Sequence, residues 1–530
     1  MSNDVTSLPD DPAALKARIE QLTQLLADKD RTITSLYDQL KALLSDRFAP
    51  SSEQLQGESG QQALFDESEA LEAQHGDEAD DTRTDVTDVQ PHTRRRGKRM
   101  ALPDALPRRV VEHDLADAEK VCPQDGSTLT RIGSETSERL HIIPATVDVE
   151  QHICHTYACQ TCHEHVVTAN KPVALLSKTQ ATEGTLAFIA DQKYALGMPL
   201  YRLEKALLHL GIHVPRQTQA SWMIGCGLAV KPLIDALAKT LLAGDYVQMD
   251  ETTVQVLNEP GKSAQSKSYM WVRTGGDERG CPIRLFNYAP GRGGDHAKAL
   301  LAGYTGKYLQ VDGYEGYNAV AKDNNLTLVY CFAHARRYFT RGLKVMGINL
   351  KQIPEKPPPK AKRLLTGLRY IQQLFLIERR IADKSPEERY AVRQKDAVPV
   401  LKELRDWALR MQPKVLPSSP TGKALGYLLK YWDGLEEYVT DGRLEISTNR
   451  TENAIRPFVI GRKAWLFSST THGAVASANL YSLIETAKAN GHSPYHYLAH
   501  VFRELPQSNN SNEAIDALLP WNIDPTSLKT

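Results

Sequence analysis

Between residues 246 and 332 the chain spells out a mixed sheet, and no other stretch limits its fold as much. Three β-rich runs come first, at 246–257, 269–273 and 283–288, with turn residues between them. A short helix, a strand at 308–311, another helix and a strand at 327–332 follow. Three strands and then alternating helix and strand predict an α/β domain. Residues 340–445 read as mainly helical around a Pro-rich break at 354–359, so a helical insertion is expected inside one α/β domain spanning 244–490. Residues 491–530 form a C-terminal segment. A chain of 530 residues is too long for one ordinary core, and several domains are expected.

The first of these is a coiled coil over 13–47. Leu15, Leu22, Leu36 and Leu43 fall in one row of a seven-residue repeat, interleaved with Ile19, Leu26, Ile33 and Leu40. Those rows are an a/d seam sustained for about four heptads, with Lys29 as a charged interruption that can fix register. Self-association is the expectation, and an amphipathic helix packed on its own protein is the plainer alternative. A linker follows over 56–110. Its first part, 56–90, carries eleven acidic residues against Arg83, and 94–109 carries seven basic residues against Asp104. Lys+Arg and Asp+Glu both total 64, so global charge calls for no nucleic-acid partner. The distribution does: Arg94, Arg95, Arg96, Lys98 and Arg99 around Gly97 form an arm suited to phosphates and a minor groove. A solvated linker is the competing reading. No apolar run approaches the roughly 18–20 residues that cross a bilayer, and the N-terminus lacks a secretory pattern. A cytoplasmic, nucleoid-associated protein with no membrane partner is expected.

Seven cysteines are too few and too odd in number for a disulfide framework. Cys122-Pro-Gln-Asp125 and Cys159-Gln-Thr-Cys162 have the spacing of two ligand pairs wrapping a tetrahedral ion, which suggests a zinc-ribbon-like domain over 111–170. The first pair is Cys-x-x-Asp, so Cys154, His155, His163 or His165 could substitute, or the knuckle could be free of metal. Cys226, Cys281 and Cys331 read as small buried hydrophobes. From 180 to 241 the pattern is helical. An amphipathic run at 199–210 is stopped by Gly211, and a second helix begins near Arg216, Gln217 and Thr218. Two helices joined by a short Gly turn have a helix-turn-helix outline, with Arg216 and Gln217 placed to read base edges.

The chemistry points to acids at strand ends. Asp250 lies in the first strand and Asp312 directly after the fourth; if those strands are neighbours, two carboxylates meet and can share divalent cations. Glu452 in Asn449-Arg-Thr-Glu452 supplies a third acid at the head of a helix. Two ions held this way would serve an in-line phosphoryl transfer. The plain readings are a turn at Asp312-Gly313, a helix cap or an i,i+4 pair with Arg456 at Glu452. Asp245 and Glu251 compete with Asp250, but strand alternation turns both away from the face that Asp250 occupies.

Motifs spread along the whole chain resemble those of bacterial transposases of insertion-sequence family sixty-six. They are the leucine-zipper start, Ser51-Ser-Glu-Gln-Leu55, Leu106-Pro-Arg108, Cys122-Pro-Gln-Asp-Gly126, Met249-Asp-Glu-Thr252, Val311-Asp-Gly-Tyr314 and Cys331-Phe-Ala-His-Ala-Arg-Arg337. Near the end come Asn449-Arg-Thr-Glu-Asn-Ala-Ile-Arg-Pro457, Gly461-Arg-Lys463 and Leu518-Leu-Pro-Trp521. The resemblance implies an RNase H-like core with an Asp250–Asp312–Glu452 triad and Mg2+ or Mn2+ as a pair of ions. It also implies end cleavage leaving a 3′ hydroxyl that attacks target DNA. Arg456, Arg462 and Lys463 would hold phosphates, and His334 and Arg337 would touch DNA near the site; exposed helix charges and a buried histidine are the alternatives. Partners would be transposon ends, target DNA, further copies of the chain and accessory proteins of the same element. A regulator that kept a transposase body, or a nuclease that cuts without joining, would share much of this pattern.

Overall fold

The computed structural model describes residues 11–48, 108–110, 120, 124, 127, 146–158, 166–276, 280–350, 353–354, 356–509 and 511–529. The basic arm at Arg94–Arg99 and the zinc candidates Cys122, Asp125, Cys159 and Cys162 lie outside these residues. So do His163 and His165. The chain divides into one unit of residues 1–75 with 152–530 and another of 76–151; in the second, the described stretch 146–151 is exposed.

The heptad region is a single helix, α1 (Pro12–Phe48), about 55 Å long at 1.5 Å per residue. Ile19, Leu22, Leu26, Ile33, Leu36 and Leu40 are 45–65% exposed, so the apolar row faces water. The ribbon region contributes an antiparallel hairpin, β1 (Thr156–Ala158) with β2 (Val166–Thr168), in which Ala158 pairs Val166. Cys154 is exposed just before the hairpin.

The helical region begins with α2 (Glu183–Ala190), capped by Thr182, whose hydroxyl accepts from Thr185 N at 3.2 Å. Next comes α3 (Leu200–His209), which buries Leu203 and Leu207. It stops where the sequence predicts: Gly211 takes φ +87°, and Ile212 N reaches back to Leu207 O at 3.1 Å. After the turn come α4 (Arg216–Ala229) and α5 (Lys231–Ala243). These helices share one core with the sheet that follows, since Leu186, Leu203, Met223 and Leu237 join Val247, Trp271 and Phe286 in a continuous cluster.

The sheet is built on β3 (Tyr246–Asn258), antiparallel to β4 (Lys267–Gly276), which is antiparallel to β5 (Pro282–Ala289). After α6 (Gly294–Leu300), β6 (Tyr308–Val311) pairs parallel with the other edge of β3. Next, α7 (Gly316–Asp323) leads to β7 (Thr327–Tyr330), parallel to β6. The order is thus β5-β4-β3-β6-β7, and the first and fourth strands are neighbours. Chain order continues with α8 (Phe332–Val345), then α9 (Pro359–Arg380), α10 (Pro386–Val392), α11 (Val398–Met411), α12 (Pro420–Lys430) and α13 (Trp432–Glu436). They close a second core of Phe339, Leu368, Leu404, Leu425 and Leu435.

The chain returns to the sheet through α14 (Asn449–Trp465) and a short strand the sequence did not announce, β8 (Ser468–Thr470), parallel to the far end of β3. Then α15 (Thr471–Ala489) lies along β5 and closes its outer edge with side chains. Ser482 Oγ accepts from Phe286 N at 2.8 Å; Thr486 Oγ1 accepts from Arg284 N at 3.1 Å and donates to Arg284 O at 3.0 Å. An exposed edge strand invites pairing with other chains, and here helix hydroxyls occupy it instead. On its other side α15 comes so close to α4 that a Cβ on Gly227 would sit 2.5 Å from Ala476 Cα. The chain finishes with α16 (Pro494–Glu504) and α17 (Asn512–Ala517), and Tyr497 OH donates to Leu518 O at 2.9 Å. No helix among the described residues is long and apolar enough to cross a membrane. Cys226 and Cys331 are buried as expected, while Cys281 is only partly so.

Candidate active site

The register of β3 against β6 brings the two aspartates together. Tyr246, Val247 and Gln248 lie opposite Tyr308, Leu309 and Gln310. Two residues further along come Asp250 and Asp312, at matching positions on adjoining strands. There β3 also lacks a parallel partner, because β6 ends at Val311 and β8 joins only at Val256. The acids therefore stand at an open stretch of the central strand's edge. Asp250 Oδ1 accepts from Glu251 N at 2.8 Å. Asp312 Oδ1 accepts from Tyr314 N at 2.9 Å across Gly313, whose φ of +96° suits glycine.

Charge coupling shows that a third acid shares this space. Burial is the largest influence on Asp250, and Asp312, Glu251 and Glu452 add like charge; together they push its pKa up to about 8. Glu452 does not fold back to cap its own helix. Its Oε2 accepts from Arg337 Nη2 at 2.5 Å, and its Oε1, buried without a hydrogen bond, lies 3.7 Å from His334 Nε2. Both partners come from α8. At His334, burial disfavours charge while Cys331 and Glu452 favour it and draw the pKa up to about 9. Yet Arg337 Nη1 lies 3.0 Å from Nε2, and an arginine can donate only to an unprotonated nitrogen. Direct contact with a permanently charged guanidinium decides for the neutral ring at Nε2.

One pleat below the acids sits a buried polar clamp that sequence reasoning missed. Gln248 Nε2 donates to Gln310 Oε1 at 2.9 Å and to Glu445 Oε2 at 3.0 Å. Gln310 Nε2 donates to Glu445 O at 2.7 Å, and Thr451 Oγ1 donates to Gln248 Oε1 at 2.8 Å. Gln248, Gln310 and Thr451 are fully buried. The clamp ties both acid-bearing strands to the start of α14 and so sets Glu452 over the sheet. A signal was present: Gln-Met-Asp250 and Gln-Val-Asp312 repeat one pattern on two strands. Leucine at position 248 leaves Gln310, Glu445 and Thr451 short of partners inside the protein. We expect Gln248→Leu to lower unfolding stability by about 1–3 kcal/mol, read by urea denaturation; an unchanged midpoint would show that the clamp is slack.

The competing acids are engaged elsewhere, as strand alternation requires. Glu251 accepts from Arg292 Nε at 2.5 Å and Tyr317 OH at 2.6 Å. Asp245 accepts from Arg443 Nη1 at 2.7 Å. Of the DNA-contact candidates, His334 and Arg337 meet Glu452 directly, and Arg456 lies one turn along α14 from it. Arg462 is tied to β3, donating to Thr252 Oγ1 at 3.1 Å and Thr253 Oγ1 at 3.0 Å, while Lys463 is exposed. Arg216 and Gln217 are exposed on the first turn of α4, away from the elements that carry the acids. Among the described residues no three His, Cys, Asp or Glu side chains are drawn tightly enough to hold an ion as they stand. The donor set nevertheless fits a hard divalent cation: carboxylate oxygens crowded by like charge, with one Glu452 oxygen lacking a hydrogen bond.

Fold and site together define a mixed α/β protein with a half-buried acidic cluster at the central strands of its sheet. The profile described as "Transposase IS66 family" matches residues 178–476, and that of the "IS66 C-terminal element" matches 482–521. Residues 119–163 match the "zinc-finger binding domain of transposase IS66", and 35–111 match "Transposase C of IS166 homeodomain". The chain belongs to the IS66 family of transposases. Among its relatives is "Uncharacterized protein y4jD" of Sinorhizobium fredii, 31% identical over 85% of this chain and 86% of the relative. "Uncharacterized protein y4qI" of the same organism is 30% identical over 97% of this chain and 94% of the relative. Membership implies transposition and, for a DDE transposase family, a nuclease or transferase activity with divalent metal. The N-terminal matches support DNA-binding and zinc-finger features.

Proposed function

We propose that the chain cuts the ends of its insertion sequence and joins them to target DNA, with Asp250, Asp312 and Glu452 holding a pair of Mg2+ or Mn2+ ions in an RNase H-like domain. The observation that carries this is the convergence of the three acids at the open edge of β3. The strand order, three antiparallel strands followed by two parallel ones, supports the RNase H-like reading. When bound, such ions activate a water and stabilise the entering and leaving oxygens of phosphoryl transfer. The chain's own part is to gather the carboxylates, hold Glu452 through the clamp, and present cations to phosphate oxygens. Arg337 meets Glu452 directly, Arg456 lies one turn along α14 from it, Arg462 and Lys463 lie in the last turn of α14, and His334 lines the same wall. Hydrolysis of the phosphodiester at the element's end leaves a 3′ hydroxyl, which attacks a target phosphodiester with no covalent protein intermediate.

The remaining elements find the ends. The basic arm Arg94, Arg95, Arg96, Lys98 and Arg99, a zinc ribbon on Cys122, Asp125, Cys159 and Cys162, and Arg216 and Gln217 on α4 would contact DNA. A zinc count on the purified chain tests the ribbon. The exposed seam of α1 pairs copies of the chain as a coiled coil, and light scattering on a Leu22→Glu variant tests that pairing by loss of the oligomer. Accessory proteins of the element complete the assembly, which works at the nucleoid.

The decisive assay supplies the DNA that flanks this gene as plasmid-borne ends, with magnesium and then manganese. Metal-dependent 3′-hydroxyl ends and joined products are expected. Cleavage without joining would reduce the chain to a nuclease. Specific end binding without cleavage, even with the neighbouring gene products added, would leave a DNA-binding regulator.

A further inference from the structure

Four tyrosines run in a ladder beside the acids, and nothing above uses them. Tyr338 on α8 is stacked on Tyr427 of α12, with centroids 4.5 Å apart and planes 24° from parallel. Tyr427 lies 4.8 Å from Tyr431, and Tyr431 4.8 Å from Tyr330. The inner rings grip the loop of the second acid: Tyr427 OH donates to Asp312 O at 2.6 Å, and Tyr431 OH donates to Gly313 O at 2.9 Å. Tyr338 is the outer rung and is 40% exposed. It directly follows Arg337, the residue in contact with Glu452. The ladder therefore runs from the backbone of one acid to the surface beside the partner of another.

Core packing accounts for the inner rungs but not for an aromatic ring left open at the end. Two cations lie near it along the helices. Arg341 follows at i+3 from Tyr338 on α8, and Lys423, four residues before Tyr427 on α12, is exposed. An open aromatic face flanked by cations is the means by which proteins hold unpaired nucleic acid: rings stack the bases while cations meet the backbone.

We propose that the Tyr338–Tyr427 pair is a stacking platform for an unpaired DNA base next to the phosphate on which the acids act. This rests on reading the acids as a strand-cutting site. Stacking needs the ring of Tyr338 and not its hydroxyl, and it tolerates any base.

The test titrates the full chain, without added divalent metal, into a single-stranded oligonucleotide carrying one 2-aminopurine. Wild-type protein, Tyr338→Phe and Tyr338→Trp should quench the fluorophore by stacking. Tyr338→Leu, which keeps apolar bulk against Tyr427, should melt with wild type yet lose the quench and bind about tenfold more weakly. The basic arm elsewhere can supply affinity but not this quench. A Tyr338→Leu protein that quenches and binds like wild type overturns the platform. End cleavage is scored separately. Cutting by wild type that Tyr338→Leu retains in full, with the quench unchanged, sinks the platform and leaves the catalytic reading standing. A Tyr338-dependent quench in a wild type that cannot cut even with the neighbouring gene products added upholds base stacking and removes the catalytic reading instead.

Discussion

Asp250→Ala loses end cleavage by at least about a thousandfold while binding end DNA as tightly as wild type. The expectation follows from position. Asp250 is the acid on the central strand, and it feels both of its partners as well as Glu251. Among the described residues no side chain donates a hydrogen bond to it, and the backbone N–H of Glu251 does. It therefore contributes little to packing, and burying it among like charges costs stability. Asp250→Asn makes the argument sharper, since it keeps the shape and removes the charge. That variant should be equally inactive yet melt at a higher temperature in metal-free buffer, because the crowding is relieved. A functional group held against the stability of its surroundings behaves this way. Residual cutting by either variant would remove Asp250 from the triad. A lowered melting temperature in Asp250→Asn would mean that the carboxylate is structural.

Much of this site could be read in the sequence because strands are local. The runs that became β3, β6 and β7 were visible as β-rich segments, and alternation alone separated Asp250 from Asp245 and Glu251. Glu452 was harder. Its outline as a helix-capping residue was as good locally as any catalytic outline, and only tertiary contact with Arg337 shows that the carboxylate faces α8 rather than its own cap. The clamp was half legible, as a repeated Gln-x-Asp whose meaning depends on strands 62 residues apart being neighbours. Two features left no trace. Three residues of β8 are too short for any periodicity, and their pairing with β3 depends on where α14 delivers them. The tyrosine ladder draws rungs from α8, α12, β7 and the residue after α12, so spacing in sequence could not assemble it. The helical region was expected as a separate recognition domain. Its apolar residues share the core of the sheet, and Gly227 lets α4 pack close against α15.

Arg393 gives the second large effect, and it bears on why a helical insertion interrupts the sheet domain at all. Its side chain is fully buried, and every donor of its guanidinium is used. Nε and Nη2 meet the two oxygens of Glu378 on α9 at 2.9 and 2.6 Å. The remaining bonds reach the carbonyls of Tyr438 at 2.9 Å, Asp441 at 2.8 Å and Leu444 at 2.8 Å. Those carbonyls belong to the segment that leaves the insertion and runs directly into Glu445, the residue gripped by Gln248 and Gln310. One buried arginine thus fastens the insertion to the strand of chain that delivers Glu452. Arg393→Ala should destabilise the protein by about 3–5 kcal/mol, because it leaves the largely buried Glu378 with only Arg389, at 3.8 Å, among the described residues and takes the guanidinium donors from the carbonyls of Tyr438, Asp441 and Leu444. Arg393→Lys should rescue little, since an ammonium cannot reproduce a planar fork with five donors. In protein that remains folded at low temperature, either variant should cut DNA more slowly while still binding it, because the loosened segment sets the third acid and not the DNA-reading elements. Unfolding midpoints equal to wild type would show that the insertion holds its shape without Arg393. A loss of stability with cleavage intact would show that Glu452 is positioned by the clamp alone.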